Sequence, residues 1–234
     1  MRVEIDFLIN EDRKFRTFIN EGITSFIYRA IRLGDEKYGN MLHEEGFKKN
    51  GSHEFKFHTY SVRQNNKPIS DRVEKGIATL ILSSALEDTV INFVKGLLQI
   101  GDVQIFSRSY NIESIRYIKE PKFKESNMFF INSPIYMEDS ERKWLQPDEM
   151  EKGLGERLLE NYYVLYGKLP KDTNIRIKFI KTSKFYTKYK FDTMRGILGT
   201  IVLEGSKELI KLAYEIGLGR STGLGMGLIS RYKV

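Results

Sequence analysis

Gly217-Leu218-Gly219-Arg220-Ser221-Thr222-Gly223-Leu224-Gly225-Met226-Gly227 is the stretch from which the fold can be worked out. Glycine has no Cβ, so such a run reaches backbone conformations and close approaches that other residues avoid. Just before it, residues 206–216 put Leu209, Leu212, Ala213 and Ile216 on one helical face, and Gly217 supplies the stop. Just after it, residues 228–234 return to a strand-like pattern. The order is helix, tight glycine junction, strand. The junction suits close packing. It equally suits an anion cradle, because successive backbone N–H groups form a concave site to which Arg220 would add charge.

Working back from the junction, residues 174–180 alternate Ile175, Ile177 and Phe179 with Arg176 and Lys178, the two-residue period of a strand. A further strand is expected in two segments, 185–191 and 195–203. Residues 148–166 space Met150, Leu154, Leu158, Tyr162 and Leu165 as a helix closed by Gly167 and Pro170, and residues 128–131 form a strand before it. The order is βαββαβ. The first half repeats it without residue-level similarity. Residues 2–9 alternate Val3, Ile5 and Phe7 with charged residues. Residues 20–33 carry the helical stripe Ile23, Phe26, Ile27, Ala30 and Ile31, with Tyr28 on its flank. Residues 34–51 are polar and glycine-punctuated, with Met41 and Leu42 as an apolar handhold. Strands are expected at 55–62 and 76–82. A helix over 84–100 opens on a Ser84/Glu87 capping box and ends at Gly101, and residues 103–118 are strand-rich. The expected fold class is α+β: two tandem ferredoxin-like (RRM-like, βαββαβ) domains, 1–120 and 121–234, with a C-terminal glycine-rich loop.

Composition narrows the chemistry. With 234 residues, 41% apolar content, 15 Phe and 13 Tyr, the chain can bury sizeable cores. There is no cysteine, which removes disulfides and thiolate chemistry and suits a cytoplasmic setting. The N-terminal strand carries Glu4 and Asp6 and does not read as a signal peptide, and no apolar run reaches the length of a membrane span. The formal net charge is +7, nearly all of it in residues 121–234, which points to an anionic partner. Arg176, Lys178, Lys181, Lys184, Lys188, Lys190 and Arg195 form a basic hairpin interleaved with Phe185, Tyr186, Tyr189 and Phe191. Cations neutralise phosphates and aromatic faces stack on unpaired bases, so RNA is the partner that fits. Phe179, Phe185 and Phe191 also suit a core-facing role. The three histidines, His43, His53 and His58, fall in one short segment. Histidine can move protons in phosphoester cleavage. No cofactor and no metal site is expected, and no G-x-x-x-x-G-K-[ST] sequence occurs, so a nucleotide-binding P-loop is excluded.

The spacing Gly-Leu-Gly at 217–219, five residues, then Gly-Met-Gly at 225–227 resembles the CRISPR repeat-processing endoribonucleases, the "Cas six" family of the RAMP superfamily. Phe26-Ile27-Tyr28-Arg29-Ala30-Ile31 looks like the family's segment with a catalytic tyrosine. Met41-Leu42-His43-Glu44 looks like the histidine segment, and Lys56-Phe57-His58-Thr59-Tyr60-Ser61 like the lysine strand. The resemblance implies a metal-independent cut within CRISPR repeat RNA, by 2′-hydroxyl attack, leaving a 2′,3′-cyclic phosphate and a 5′-hydroxyl. His43 would carry the proton, Tyr28 orient the 2′-hydroxyl and Lys56 stabilise developing charge, with His53 and His58 as competitors for the proton. Gly217, Gly219, Arg220, Ser221, Gly225 and Gly227 would join the basic hairpin in binding RNA. A homodimer and membership of a CRISPR effector complex are compatible partners. The alternative function is a non-catalytic RNA-binding RAMP subunit of such a complex.

Overall fold

The structure, a computed structural model, describes residues 1–49, 53–139, 141, 143–189 and 192–231. The first unit runs β1 (Arg2–Ile9), α1 (Asn20–Gly34), β2 (His58–Gln64), β3 (Gly76–Ser84), α2 (Glu87–Ile100), β4 (Asp102–Ile105) and β5 (Arg108–Tyr117). Its antiparallel sheet has the order β2-β3-β1-β5, extended by β4 beyond β5 and by Lys67–Pro68 beyond β2. The second unit runs β6 (Ser126–Ile135), α3 (Pro147–Tyr166), β7 (Ile175–Tyr189), β8 (Asp192–Gly205), α4 (Lys207–Ile216) and β9 (Ile229–Arg231), with the sheet order β7-β8-β6-β9. Numbering the βαββαβ strands within each unit gives the order 2-3-1-4 twice. This is the tandem ferredoxin-like architecture the sequence pattern predicts.

The patterns that make these elements are visible in what they bury. Val3, Ile5, Phe7 and Ile9 of β1 face the first core, against Phe26, Ile27 and Ile31 of α1 and Phe93 and Leu97 of α2. Leu154 and Leu158 of α3 and Leu209 and Leu212 of α4 cover Phe129, Ile201 and Leu203 of the second sheet. The units also exchange side chains. Phe57, from the first half of the chain, is buried in the second core, and Met226, from the glycine junction, is buried in the first.

Two local expectations are corrected. Ser84 does not form a capping box. It belongs to β3, its hydroxyl donates to the Phe57 carbonyl (2.7 Å) and accepts from the Leu86 N–H (3.0 Å), and α2 begins beyond Leu86 without a side-chain cap. A capping box does form at Gln146 and Glu149, ahead of α3. Within the polar, glycine-punctuated stretch 34–51, for which the sequence pattern names no element, Glu36–Asn40 is helical, Met41–Glu45 is a π-helical turn, and Phe47–Lys49 pairs with His53–Phe55. Finally, β7 joins the strand expected at 174–180 to the 185–191 segment assigned to the next strand, and β8 takes the 195–203 segment alone. A bulge between Phe179 and Lys181 shifts the register of β7 and interrupts the two-residue alternation on which sequence reading depends. Past the bulge the hairpin leaves its own core, and Phe185 packs on Phe18 of the first unit (ring centroids 6.1 Å apart).

Candidate active site

The glycine junction is a wedge between the two units. Asn20 Nδ2 donates to the carbonyls of Leu224 (2.9 Å) and Gly225 (3.2 Å), and Thr59 Oγ1 donates to the Met226 carbonyl (2.8 Å). Gly225 has φ +77°, and a Cβ there would lie 2.4 Å from Asn20 Nδ2 and 2.5 Å from the Tyr60 ring. Gly217, Gly219, Gly225 and Gly227 are all buried, whereas Arg220 and Ser221 are half-buried. Gly217, Gly225 and Gly227 therefore meet protein, and the part of the junction that borders open space is Gly219 with Ser221–Leu224.

A cleft of about 250 Å³ opens there. Tyr28 and Lys56 line it from the first unit, and Arg157 and Asn161 from the second. Tyr28 stands on the flank of α1 and is half-buried. His43 is exposed on the π-helical turn, its ring edge-on to Tyr28 with centroids 5.1 Å apart. That turn is anchored by Leu42, which is fully buried, and by Lys56, whose Nζ donates to the Leu42 carbonyl at 2.6 Å and the His43 carbonyl at 3.5 Å. The same ammonium lies 5.7 Å from the centre of the Tyr28 ring. Three successive elements, α1, the π-helical turn and the segment before β2, thus bring Tyr28, His43 and Lys56 together. π-Helical turns occur disproportionately at functional positions, because the wider turn aims a side chain that an α-helix would direct elsewhere.

His58 occupies the interior side of this cluster. It is 1% exposed, its ring lies edge-on to Tyr28 at 5.8 Å, and neither ring nitrogen is hydrogen-bonded among the described residues. Burial, reinforced by the Lys56 charge, lowers its pKa to about 4. The imidazole is neutral at pH 7 and shielded from solvent. The His53 side chain lies outside the described residues.

The basic hairpin is solvent-facing. Arg176, Lys178, Lys181, Lys184 and Arg195 are exposed and make no ion pair with a described residue, while Lys184 lies 5.7 Å from the Trp144 ring centre. The Lys188 side chain, Lys190 and Phe191 lie outside the described residues. Arg220 is neutralised by Glu138 (3.4 Å). Arg157 and Asn161 escaped the sequence reading. Four residues apart on α3, they share a helical flank, a spacing that was readable, but the partner that gives Arg157 its place is the Gly219 carbonyl, 62 residues away (Nε donating, 2.9 Å). Among the described residues, no group of three or more His, Asp or Glu could hold a metal ion, and no helix is long and apolar enough to cross a membrane.

Comparison with known proteins identifies the family. Residues 19–116 match the family described as "CRISPR-associated protein Cas6, N-terminal", and residues 118–230 match "CRISPR associated protein Cas6, C-terminal". A CRISPR-associated endoribonuclease-like protein Cas6 of Pyrococcus furiosus is 30% identical over 67% of this chain and 71% of its own. The CRISPR-associated endoribonuclease Cas6 1 of Methanocaldococcus jannaschii is 26% identical over 88% of this chain and 83% of its own. Among solved structures, a Cas6-related protein of P. furiosus superposes with a TM-score of 0.80 at 23% identity, covering 100% of this chain and 98% of its own. A structure described as a RAMP protein binding different RNA substrates gives 0.81 at 22%, with both chains fully covered. On the two family matches, the sequence relationship and the shared fold, the chain belongs to the Cas6 family of CRISPR-associated proteins.

Proposed function

We propose that this protein is an endoribonuclease that cuts CRISPR repeat RNA in a precursor transcript to release guide RNAs. The observation that carries the reading is the convergence of Tyr28, His43 and Lys56 beside one cleft. The M. jannaschii relative, named as a CRISPR-associated endoribonuclease, supports it. RNA brings its own nucleophile. The 2′-hydroxyl oxygen attacks the adjacent phosphorus, the P–O5′ bond breaks, and a 2′,3′-cyclic phosphate and a 5′-hydroxyl remain. One proton leaves the 2′-oxygen and one reaches the 5′-oxygen. His43, exposed and adjacent to Tyr28, is the proton carrier. The Tyr28 hydroxyl orients the 2′-hydroxyl, and Lys56 fixes the turn carrying His43 while adding positive charge near the phosphorus. The chemistry is metal-independent on this reading, because among the described residues the charged groups lining the cleft are cations, which repel a divalent ion and favour a phosphate. The exposed cations Arg176, Lys178, Lys181, Lys184 and Arg195 hold the RNA backbone further out.

The test is His43→Ala against repeat RNA under single-turnover conditions, with and without chelator, and with end-group analysis of both products. We expect a rate loss of about 10²- to 10⁴-fold in the variant and chelator-resistant cleavage by the wild type. Wild-type rates in the variant overturn the role of His43, and loss of cleavage on chelation overturns the metal-independent mechanism. A non-catalytic RNA-binding subunit is the second reading, favoured by the "endoribonuclease-like" name of the P. furiosus relative. Tightly bound repeat RNA left intact after long incubation selects it.

A further inference from the structure

Arg157 is a cation of the cleft that forms no ion pair with a described carboxylate, Glu160 acting on it only from beyond 4 Å. It stands on α3 with Asn161, across from Lys56 and Tyr28, in the same cavity of about 250 Å³. Its Nε donates to the Gly219 carbonyl at 2.9 Å, which ties it to the glycine junction. Its other N–H groups make no hydrogen bond to a described residue, and no described carboxylate lies within 4 Å of it. The contrast with Arg220 is instructive. Arg220 is the only basic residue of the glycine junction, yet it pairs with Glu138, whose carboxylate also accepts from the Tyr136 hydroxyl at 2.6 Å. Arg157 is left half-buried beside a second guanidinium, and burial and then Arg220 lower its pKa against a smaller opposing effect of Glu160. A half-buried guanidinium with a like charge nearby is unfavourable until an anion arrives. A guanidinium also presents a planar fork of donors matched to phosphate oxygens.

We propose that Arg157 contacts the scissile phosphodiester of the RNA, so that the phosphate is held between Lys56 of the first unit and Arg157 of the second. This rests on the endoribonuclease reading above and adds a substrate-binding residue from the other half of the molecule. The reacting phosphorus then sits at the seam between the units, where the glycine junction fixes both cations: Gly219 through the Arg157 hydrogen bond, and Gly223 through close approach to Lys56, whose Cγ would lie 3.1 Å from a Cβ at that glycine. Negative charge grows on the phosphoryl oxygens as the 2′-oxygen attacks, so a cation aimed there acts on the transition state more than on the bound RNA.

The experiment compares the full chain with Arg157→Gln, Arg157→Lys and His43→Ala. Single-turnover cleavage of repeat RNA gives the rate. Binding of a non-cleavable repeat, carrying a 2′-deoxy nucleotide at the cut site, gives affinity as a function of salt. For Arg157→Gln we expect a 10²- to 10³-fold loss in cleavage rate at saturating RNA, a loss of affinity of tenfold or less, and a salt slope reduced by about 0.7 to 0.9, the contribution of one phosphate contact. Arg157→Lys should keep the wild-type salt slope and lose 3- to 30-fold in rate, because it retains charge without the fork. Wild-type rate and slope in Arg157→Gln, with His43→Ala inactive, overturn the proposal and leave the function standing. If wild-type protein binds the repeat without cutting it, the nuclease reading falls. The salt slope then still decides whether Arg157 touches a phosphate. Should Arg157→Gln melt far below the wild type, Arg157→Lys carries the decision, and a wild-type cleavage rate in that variant counts against the fork contact.

Discussion

At the scale of single residues, His58 shows how burial separates two histidines fifteen positions apart. His43 is exposed on a turn, and His58 is enclosed with both nitrogens unpartnered among the described residues. Its folded pKa of about 4 lies below the ordinary histidine value of about 6.5, so between those limits the unfolded chain binds more protons than the folded one. The stability linked to this group is fully present above about pH 6.5 and is lost as pH falls toward about 4. The shift corresponds to at most about 3 kcal/mol. Replacing a buried, unpartnered imidazole with an apolar side chain removes that loss and an unsatisfied polar group together. For His58→Leu we therefore expect stability at pH 7 equal to or above the wild type, and an advantage that widens as pH is lowered from 6.5 to 4.5, measured by urea denaturation at a series of pH values. Cleavage at neutral pH should stay within tenfold of the wild type. A collapse of cleavage as deep as that of His43→Ala would transfer the proton-carrying role to His58.

At the scale of elements, the glycine junction makes the sharpest distinction between backbone freedom and space. Gly101 and Gly225 both have φ near +80°, but a Cβ at Gly101 meets nothing within 4 Å, whereas one at Gly225 meets Asn20 and Tyr60 at 2.4 and 2.5 Å. Gly101→Ala should cost only the left-handed strain, about 1 kcal/mol. Gly225→Ala adds overpacking of about 1–3 kcal/mol and should also displace the Asn20 bonds to the junction. Urea midpoints at constant m-value test the difference, and equal losses in the two variants would mean that the junction has slack. The elements were also where sequence was most readable. The β1 alternation, the α1 stripe and the glycine stops of α2 and α3 are local patterns, and each gave its element. What the local pattern could not carry depends on distant partners. Ser84 has the right neighbour for a capping box, but its hydroxyl is taken by the Phe57 carbonyl. The bulge at Phe179/Lys181 is an extra residue in one strand against another, invisible until the strands are paired. Tyr28, His43 and Lys56 could be named because a family resemblance supplied the association. Arg157, on a helix flank among other charged residues, had no such signal.

At the scale of the whole molecule, the two ferredoxin-like units behave as one body because each supplies part of the other's interior. Phe57 precedes β2 and is fully buried in the second core, and Met226 fills the first. Arg2, only 4% exposed, crosses the same seam: its Nη1 donates to the Ile229 carbonyl at 3.0 Å, its Nη2 to the Tyr214 carbonyl, and its guanidinium stacks 3.6 Å above the Tyr214 ring. The proposed cleavage requires this rigidity. The cleft has Tyr28 and Lys56 on one wall and Arg157 on the other, and misplacing reacting groups by about 1 Å can cost 10²-fold in rate. A side chain exchanged across the seam should therefore report on both units at once. Truncating Phe57 to Ala removes a large aromatic from a packed core, a change that costs about 3–5 kcal/mol. If the units are coupled, Phe57→Ala still unfolds in a single calorimetric transition, shifted down as a whole. Amide exchange should accelerate in β6 and β8, which line the receiving core, and also in β2 and α1, which do not. Two separated transitions, with protection lost only in the second unit, would mean that the units fold independently. The cleft would then be assembled by RNA binding, without pre-organisation by the seam. The cleavage rate separates the same cases, since a pre-organised seam makes Phe57→Ala slow at saturating RNA well below its melting temperature, although Phe57 contributes no atom to the lining of the cleft.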